Sequence, residues 1–185
     1  MTTYVGVIAE DKTDIAVFEI LMRKITNKKI VIRGFAGRGG GEIIKKASSW
    51  IDVLKHQGCS VVILAHDLDE QRLTDLKGSL AKILQVCSIK RNIAVIPVKE
   101  VEAWFLADHK AIQESLKLRE NVNKIASPET VNRPKEKLRD LIWIKSRKII
   151  SYTTGLNPRI AQACTIPKLM KCESFVPFYK FVKNI

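Results

Sequence analysis

The 185-residue sequence predicts an α/β protein with a mainly parallel four-stranded sheet flanked by helices and a helical extension after residue 108. Three observations carry this reading. Short, continuously apolar runs recur, and each is followed by a stripe of apolar residues at helical spacing. Such alternation needs crossover connections, which set neighbouring strands parallel and cover both faces of the sheet. Several of the runs end abruptly in acids. After Asp108 the apolar runs stop and helical stripes alone continue.

The first run, "YVGVIAEDKTD", buries Val5, Val7 and Ile8 and turns polar where a helix should begin. Ile15, Phe18, Leu21, Met22 and Ile25 then recur at helical spacing, giving an amphipathic helix over 14–26. "KKIVIRGF" reads as the second strand. The loop "AGRGGGE" leads to a helix carrying Ile43, Ile44, Ala47, Trp50, Ile51 and Leu54, which ends near Gly58. "CSVVILAHDLDE" is the third strand and, like the first, ends in acids. A third helix is marked by Leu73, Leu76, Leu80, Ile83 and Leu84, and "NIAVIPVKEVEAWFLAD" is a fourth strand running into a fourth helix. In the extension, "RPKEKLRDLIWI" reads as a helix entered through Pro134. "SPETVNRP" reads as a loop. The final "SFVPFYKFVKNI" sets Phe175, Phe178 and Val182 on one face that packs back on the core. The expected organisation is a core over 1–108 and a basic helical extension over 109–185, packed together as one compact domain.

Composition narrows the setting. A 46% hydrophobic content suits one sizeable core. Cys59, Cys87, Cys164 and Cys172 form no C-x-x-C pair and no secretory leader is evident, so a zinc ribbon or disulfide framework is not expected and a reducing cytoplasm is. No apolar stretch approaches the roughly 20 residues of a membrane span. The net charge of +13 is uneven, with +3 over residues 1–108 and +10 over 109–185. A basic flank beside an acid-rich site suits a polyanion, for which Arg133, Lys135, Lys137 and Arg139 are candidate contacts; a merely solvated basic surface is the alternative.

Parallel strands share one carboxyl edge, so Glu10, Asp67, Asp69 and Glu100, each just past a strand, are expected at one rim. Alternation in an extended "HDLDE" points Asp67 and Asp69 to the same side, where a cation relieves their repulsion and hard oxygen ligands suit Mg²⁺. Asp14, Glu100 and Glu102 also read as acids at helix starts, where they cap or favour the dipole. His66 reads as structural, and Asp108 and His109 as surface residues. Tyr4, Tyr152 and Tyr179 stand in no telling context. The loop Gly37–Gly41 lacks the Gly-Lys-Ser/Thr of a P-loop; it brings backbone N–H groups or Arg38 to a phosphate, or is a simple turn.

Glu followed four residues on by Asp ("EDKTD"), with a third-strand D-x-D ("HDLDE"), resembles the topoisomerase-primase (TOPRIM) domain, a Rossmann-like fold. One departure is Asp11, where that pattern usually has Gly. "VKEVEAWFLAD", "RPKEKL" and "SFVPFYKFV" further resemble a small bacterial TOPRIM-like family with an E-A-W-L-L-A-D signature, often paired with ATPases of the overcoming-lysogenization-defect type. The resemblance implies Glu10 as general acid or base and metal ligand, Asp67 and Asp69 as Mg²⁺ ligands, and Asp14, Glu100 and Glu102 at a second metal position. Lys99 would offset charge on the scissile phosphate, and Mn²⁺ would substitute for Mg²⁺. The implied activity is phosphodiester hydrolysis by a nuclease, acting on DNA more than RNA and partnered by an ATPase in phage defence or DNA maintenance. Three other readings stand beside it: a small TOPRIM ribonuclease like the 5S ribosomal RNA maturase, a receiver-like domain accepting phosphoryl at Asp67, and an inactive binding subunit. A topoisomerase would need a tyrosine-bearing second domain, and a primase a zinc ribbon.

Overall fold

Alternating apolar and helical segments build the expected sheet. The computed structural model describes residues 2–26 and 28–185. Strands β1 (Thr3–Ala9), β2 (Ile30–Ala36), β3 (Val61–Ala65) and β4 (Arg91–Val95) pair in the order β2-β1-β3-β4, and every pairing is parallel. Helices α1 (Lys12–Ile25), α2 (Gly40–His56) and α3 (Leu73–Val86) make the crossovers.

Period-two alternation divides the central strands between two cores. Val5, Val7 and Ala9 of β1 and Val61, Ile63 and Ala65 of β3 face a cluster shared with α1, while Ile8, Val62 and Leu64 face α2 and α3. The first cluster also takes in the second half of the chain: α4 (Glu102–Leu106), α5 (His109–Leu116), α6 (Pro134–Lys145), α7 (Asn157–Ala163), α8 (Ile166–Leu169) and α9 (Phe175–Lys183). The extension is therefore part of the wall of the main core. Phe175, Phe178 and Val182 are fully buried there, as their spacing predicts.

The "EAWFLAD" segment sits at the centre of this packing. Trp104 meets Phe18 and Phe175 edge-on at 5.8 and 5.0 Å between ring centroids and stacks on Phe178 at 6.1 Å, and its indole N–H donates to Ser174 Oγ at 2.8 Å. Two expectations need correction. Asp108 is not a surface residue: it is buried, caps α5 through Ala111 N–H, and accepts from the backbone N–H and hydroxyl of Thr165 at 2.9 and 3.0 Å. β3 stops at Ala65, and Asp69 lies in a turn at φ 48°, so strand alternation does not align it with Asp67. No helix among the described residues is long and apolar enough to cross a membrane.

Trp104→Ala removes the hub of this aromatic cluster and is expected to lower stability by about 3–5 kcal/mol, measured by urea unfolding followed by far-UV circular dichroism.

Candidate functional site

From β1 the chain crosses to β2 on one side, whereas β3 and β4 lie on the other, so the carboxyl ends of β1 and β3 flank the crevice in which open α/β sheets hold ligands. Glu10 follows β1 and Asp67 lies just past β3. Glu10 Oε1 accepts the backbone N–H of Asp67 at 3.1 Å and lies 3.4 Å from His66 Nδ1. His66 is buried, and its Nδ1 also lies 2.7 Å from the Asp67 carbonyl. Gly40, at the start of α2, packs on the same imidazole. A Cβ there would fall 2.2 Å from His66 Nε2, so the loop needs glycine for close approach.

Asp11 explains the departure in the first turn. Its backbone is extended (φ −141°), so glycine is not required, and its carboxylate caps α1 by accepting from Thr13 and Asp14 N–H at 2.6 and 3.0 Å. Asp14 returns the capping box, accepting Asp11 N–H at 3.3 Å. The same carboxyl is also part of the crevice with Glu10, Phe18 and Asp67. Glu102, in the first turn of α4, is 1% exposed. Its Oε1 accepts from Tyr152 Oη at 2.8 Å and Asn157 Nδ2 at 3.0 Å, and Tyr152 Oη lies 2.6 Å from Asn157 Oδ1. Glu102 Oε2 is buried and has no hydrogen-bond partner among the described residues.

Electrostatics binds these residues into one cluster. Burial, then the charges of Asp11 and Glu102, push the Asp14 carboxyl up to about 7. Asp67 is raised well above the usual aspartate value by burial and then by Asp14, Glu102, Glu10 and Asp69. Burial raises Glu10 as well, partly offset by His66 and the Asp67 N–H. Burial works against a charged Lys135, but Glu102, Glu100 and Asp67 outweigh it and hold the ammonium above the ordinary lysine value. Glu100 secures that lysine twice, accepting its backbone N–H at 2.9 Å and lying 3.3 Å from its Nζ. It thereby satisfies an N–H in the first turn of α6.

A family model described as "Domain of unknown function (DUF4276)" matches residues 9–183, which spans both the carboxylate cluster and the helices of the second half. The chain belongs to the DUF4276 family. No curated protein and no solved structure matches the chain.

Of the residues singled out in the sequence, the family fold brings Glu10, Asp14, Asp67 and Glu102 within electrostatic reach of one another. Asp69 is exposed at the rim. Lys99 takes a left-handed backbone (φ 62°) and pairs with Glu70 at 2.9 Å. It borders a groove of about 180 Å³ with Asp69, Glu100, Asn132 and Arg133. Arg38 is exposed at the entrance to α2, where its N–H donates to Glu42. Arg133, Lys137 and Arg139 are exposed as expected, but Lys135 is half-buried against the acids.

Tyr152 and Asn157 were not singled out as partners of the cluster, and nothing local marks them, because they reach Glu102 from 50 and 55 residues away. Lys135 had a signal: it adjoins the row Pro134, Leu138 and Ile142 that α6 buries. Among the described residues, no three His, Cys, Asp or Glu side chains stand in position to hold a metal ion as they are. The donor set nevertheless suits a hard cation in kind. It consists of carboxylate oxygens, with the unpartnered Glu102 Oε2 among them.

A carboxyl raised by the fold makes stability fall with pH. Below about 4 Asp14 is protonated in both states; between 3.8 and about 7 only the unfolded chain ionises; above that range the loss is complete. Asp14→Asn, which keeps an acceptor for Asp11 N–H, is therefore expected to match the parent near pH 4 and to be the more stable above pH 7. Urea unfolding at both pH values checks the sign.

Proposed function

We propose that the protein is a TOPRIM-type, Mg²⁺-dependent nuclease that hydrolyses phosphodiester bonds. The observation that supports this best is the gathering of Glu10, Asp14, Asp67 and Glu102 at the β1/β3 crevice with the Lys135 ammonium beside them. Carboxylates crowded this way without a matching set of cations cost stability, and holding a divalent ion offsets that cost. When bound, Mg²⁺ supplies a water of lowered pKa and neutralises charge developing on a phosphate oxygen.

The chain's own residues divide the remaining work. Asp67, just past β3, and Glu102, held by Tyr152 and Asn157, would be ligands of the ion. Asp14, and Asp69 and Glu100 at the rim, complete the donor set. Glu10, oriented by Asp67 N–H and His66, moves the proton. Lys135 faces a phosphate from the α6 side, and Lys99 lies further out along the adjoining groove. DNA is the favoured polyanion and the cytoplasm the compartment. The TOPRIM-like resemblance adds a partner ATPase.

Metal titrated against cleavage of single- and double-stranded DNA and of structured RNA, with and without an ATPase from the native host, tests this reading. Mg²⁺ and Mn²⁺ are expected to support cutting, and Ca²⁺ to support binding with little turnover. Asp67→Asn is expected to abolish cleavage and leave the fold as stable or slightly more so. Glu10→Gln is expected to stop turnover while keeping some metal affinity. Cutting without metal, or cutting that survives Asp67→Asn, would place the chemistry elsewhere.

A further inference from the structure

Helix α6 starts at the carboxylate cluster and ends in an unusual turn. Its buried row is Pro134, Leu138 and Ile142. At 100° per residue the adjoining row is Lys135, Arg139 and Trp143, so one ridge runs from the ammonium beside Glu100 to an indole that is 41% exposed. Glu136 and Asp140 form the next row outward, and Asp140 holds Arg139 at 3.2 Å.

Past Lys145 the helix closes with the paired hydrogen bonds of a Schellman turn, Lys148 N–H to Trp143 O at 2.8 Å and Arg147 N–H to Ile144 O at 2.9 Å. Glycine is the usual residue in the left-handed position of such a turn. Here Arg147 and Lys148 both occupy left-handed backbone, at φ 58° and 61°. Buried Ser146 holds them in place, its Oγ accepting from Ile149 and Ile150 N–H at 3.2 and 3.0 Å. Ile144 and Ile149 are also exposed, at 57% and 61%. Lys145 and Arg147 reach toward Glu120 at 3.6 and 3.5 Å. The local conformation is thus maintained against backbone preference at two consecutive cations next to an exposed indole, and strain of that kind persists where the surroundings hold it.

We propose that the Lys135–Arg139–Trp143 ridge, closed by the Arg147–Lys148 turn, is a track for single-stranded nucleic acid that leads to the carboxylate cluster, with Trp143 as the platform on which a base stacks. The cations follow the phosphates, and an exposed indole offers a face that any unpaired base fits. A duplex keeps its bases stacked internally and gains only the phosphate contacts. The charge of residues 109–185, +10 in all, matches this occupant. The proposal rests on the nuclease reading for the role of the cluster, but the binding it describes does not need catalysis.

The experiment measures fluorescence anisotropy of a labelled oligothymidylate of about 10 nucleotides with the full chain in EDTA, so that a failed cleavage assay and a failed track are separate results. Trp143→Ala is expected to weaken binding by about tenfold or more, with Trp143→Phe retaining most of the affinity. A duplex of the same length should lose little on Trp143→Ala. Arg147→Gly, which relieves one left-handed residue, is expected to melt no lower than the parent yet bind more weakly and with a shallower salt dependence. Unchanged affinity in Trp143→Ala, equal losses for Ala and Phe, or an equal loss on the duplex would overturn the proposal. So would Trp143→Ala abolishing self-association in sedimentation while leaving oligonucleotide affinity intact, since the patch would then be a contact between copies.

Discussion

Repulsion among carboxylates at the carboxyl edge of the sheet is the constraint to which much of the molecule answers. Strand order delivers Glu10 and Asp67 to neighbouring positions, and packing of α1 and α4 adds Asp14 and Glu102. Three of the acids are then held by devices of their own: a backbone N–H and an imidazole for Glu10, a capping box for Asp14, and a tyrosine–asparagine pair for Glu102. Helices α1, α4 and α6 all begin at this edge, so the positive ends of their dipoles face the acids.

Much of this was legible in the sequence because it depends on short-range pattern. A buried strand of "VGVIA" type followed by helical spacing places Glu10 at a strand end without any knowledge of tertiary contacts, and "VVILAHD" does the same for Asp67. The direction of Asp69 was not legible. Its left-handed turn follows from β3 ending at Ala65 and from pairing of Asp69 N–H with the Lys99 carbonyl at 2.9 Å, which no local pattern announces. Lys135 was legible in part: the buried row of α6 sets it further inward than Lys137, but its pairing with Glu100, 35 residues away, depends on tertiary packing.

Asp11 shows a local rule at work where the TOPRIM resemblance implies glycine. A glycine after the first acid would ease a tight turn, but the backbone here is extended and the side chain caps α1. The helix start is secured by two reciprocal carboxylate contacts, and one of those carboxylates, Asp14, also belongs to the cluster. Capping and site formation are therefore not alternatives at residue 14, although they compete for the same charge. The N–H that Asp14 accepts favours its ionised form, while burial and the neighbouring acids oppose it more strongly.

The second half of the chain completes both the core and the site. Helix α4 has five residues, all buried, and a helix so short has little stability of its own. It is held by the contacts of Trp104 with Phe18, Phe175 and Phe178, the last two from α9. Glu102 stands two residues before Trp104, so the aromatic cluster that fixes the indole also fixes where that carboxylate enters the crevice. Tyr152 and Asn157, again from the second half, then bind its Oε1. A change in the aromatic packing is thus a change at the carboxylate edge, because α4 is too short to absorb a shift at one end without moving the other.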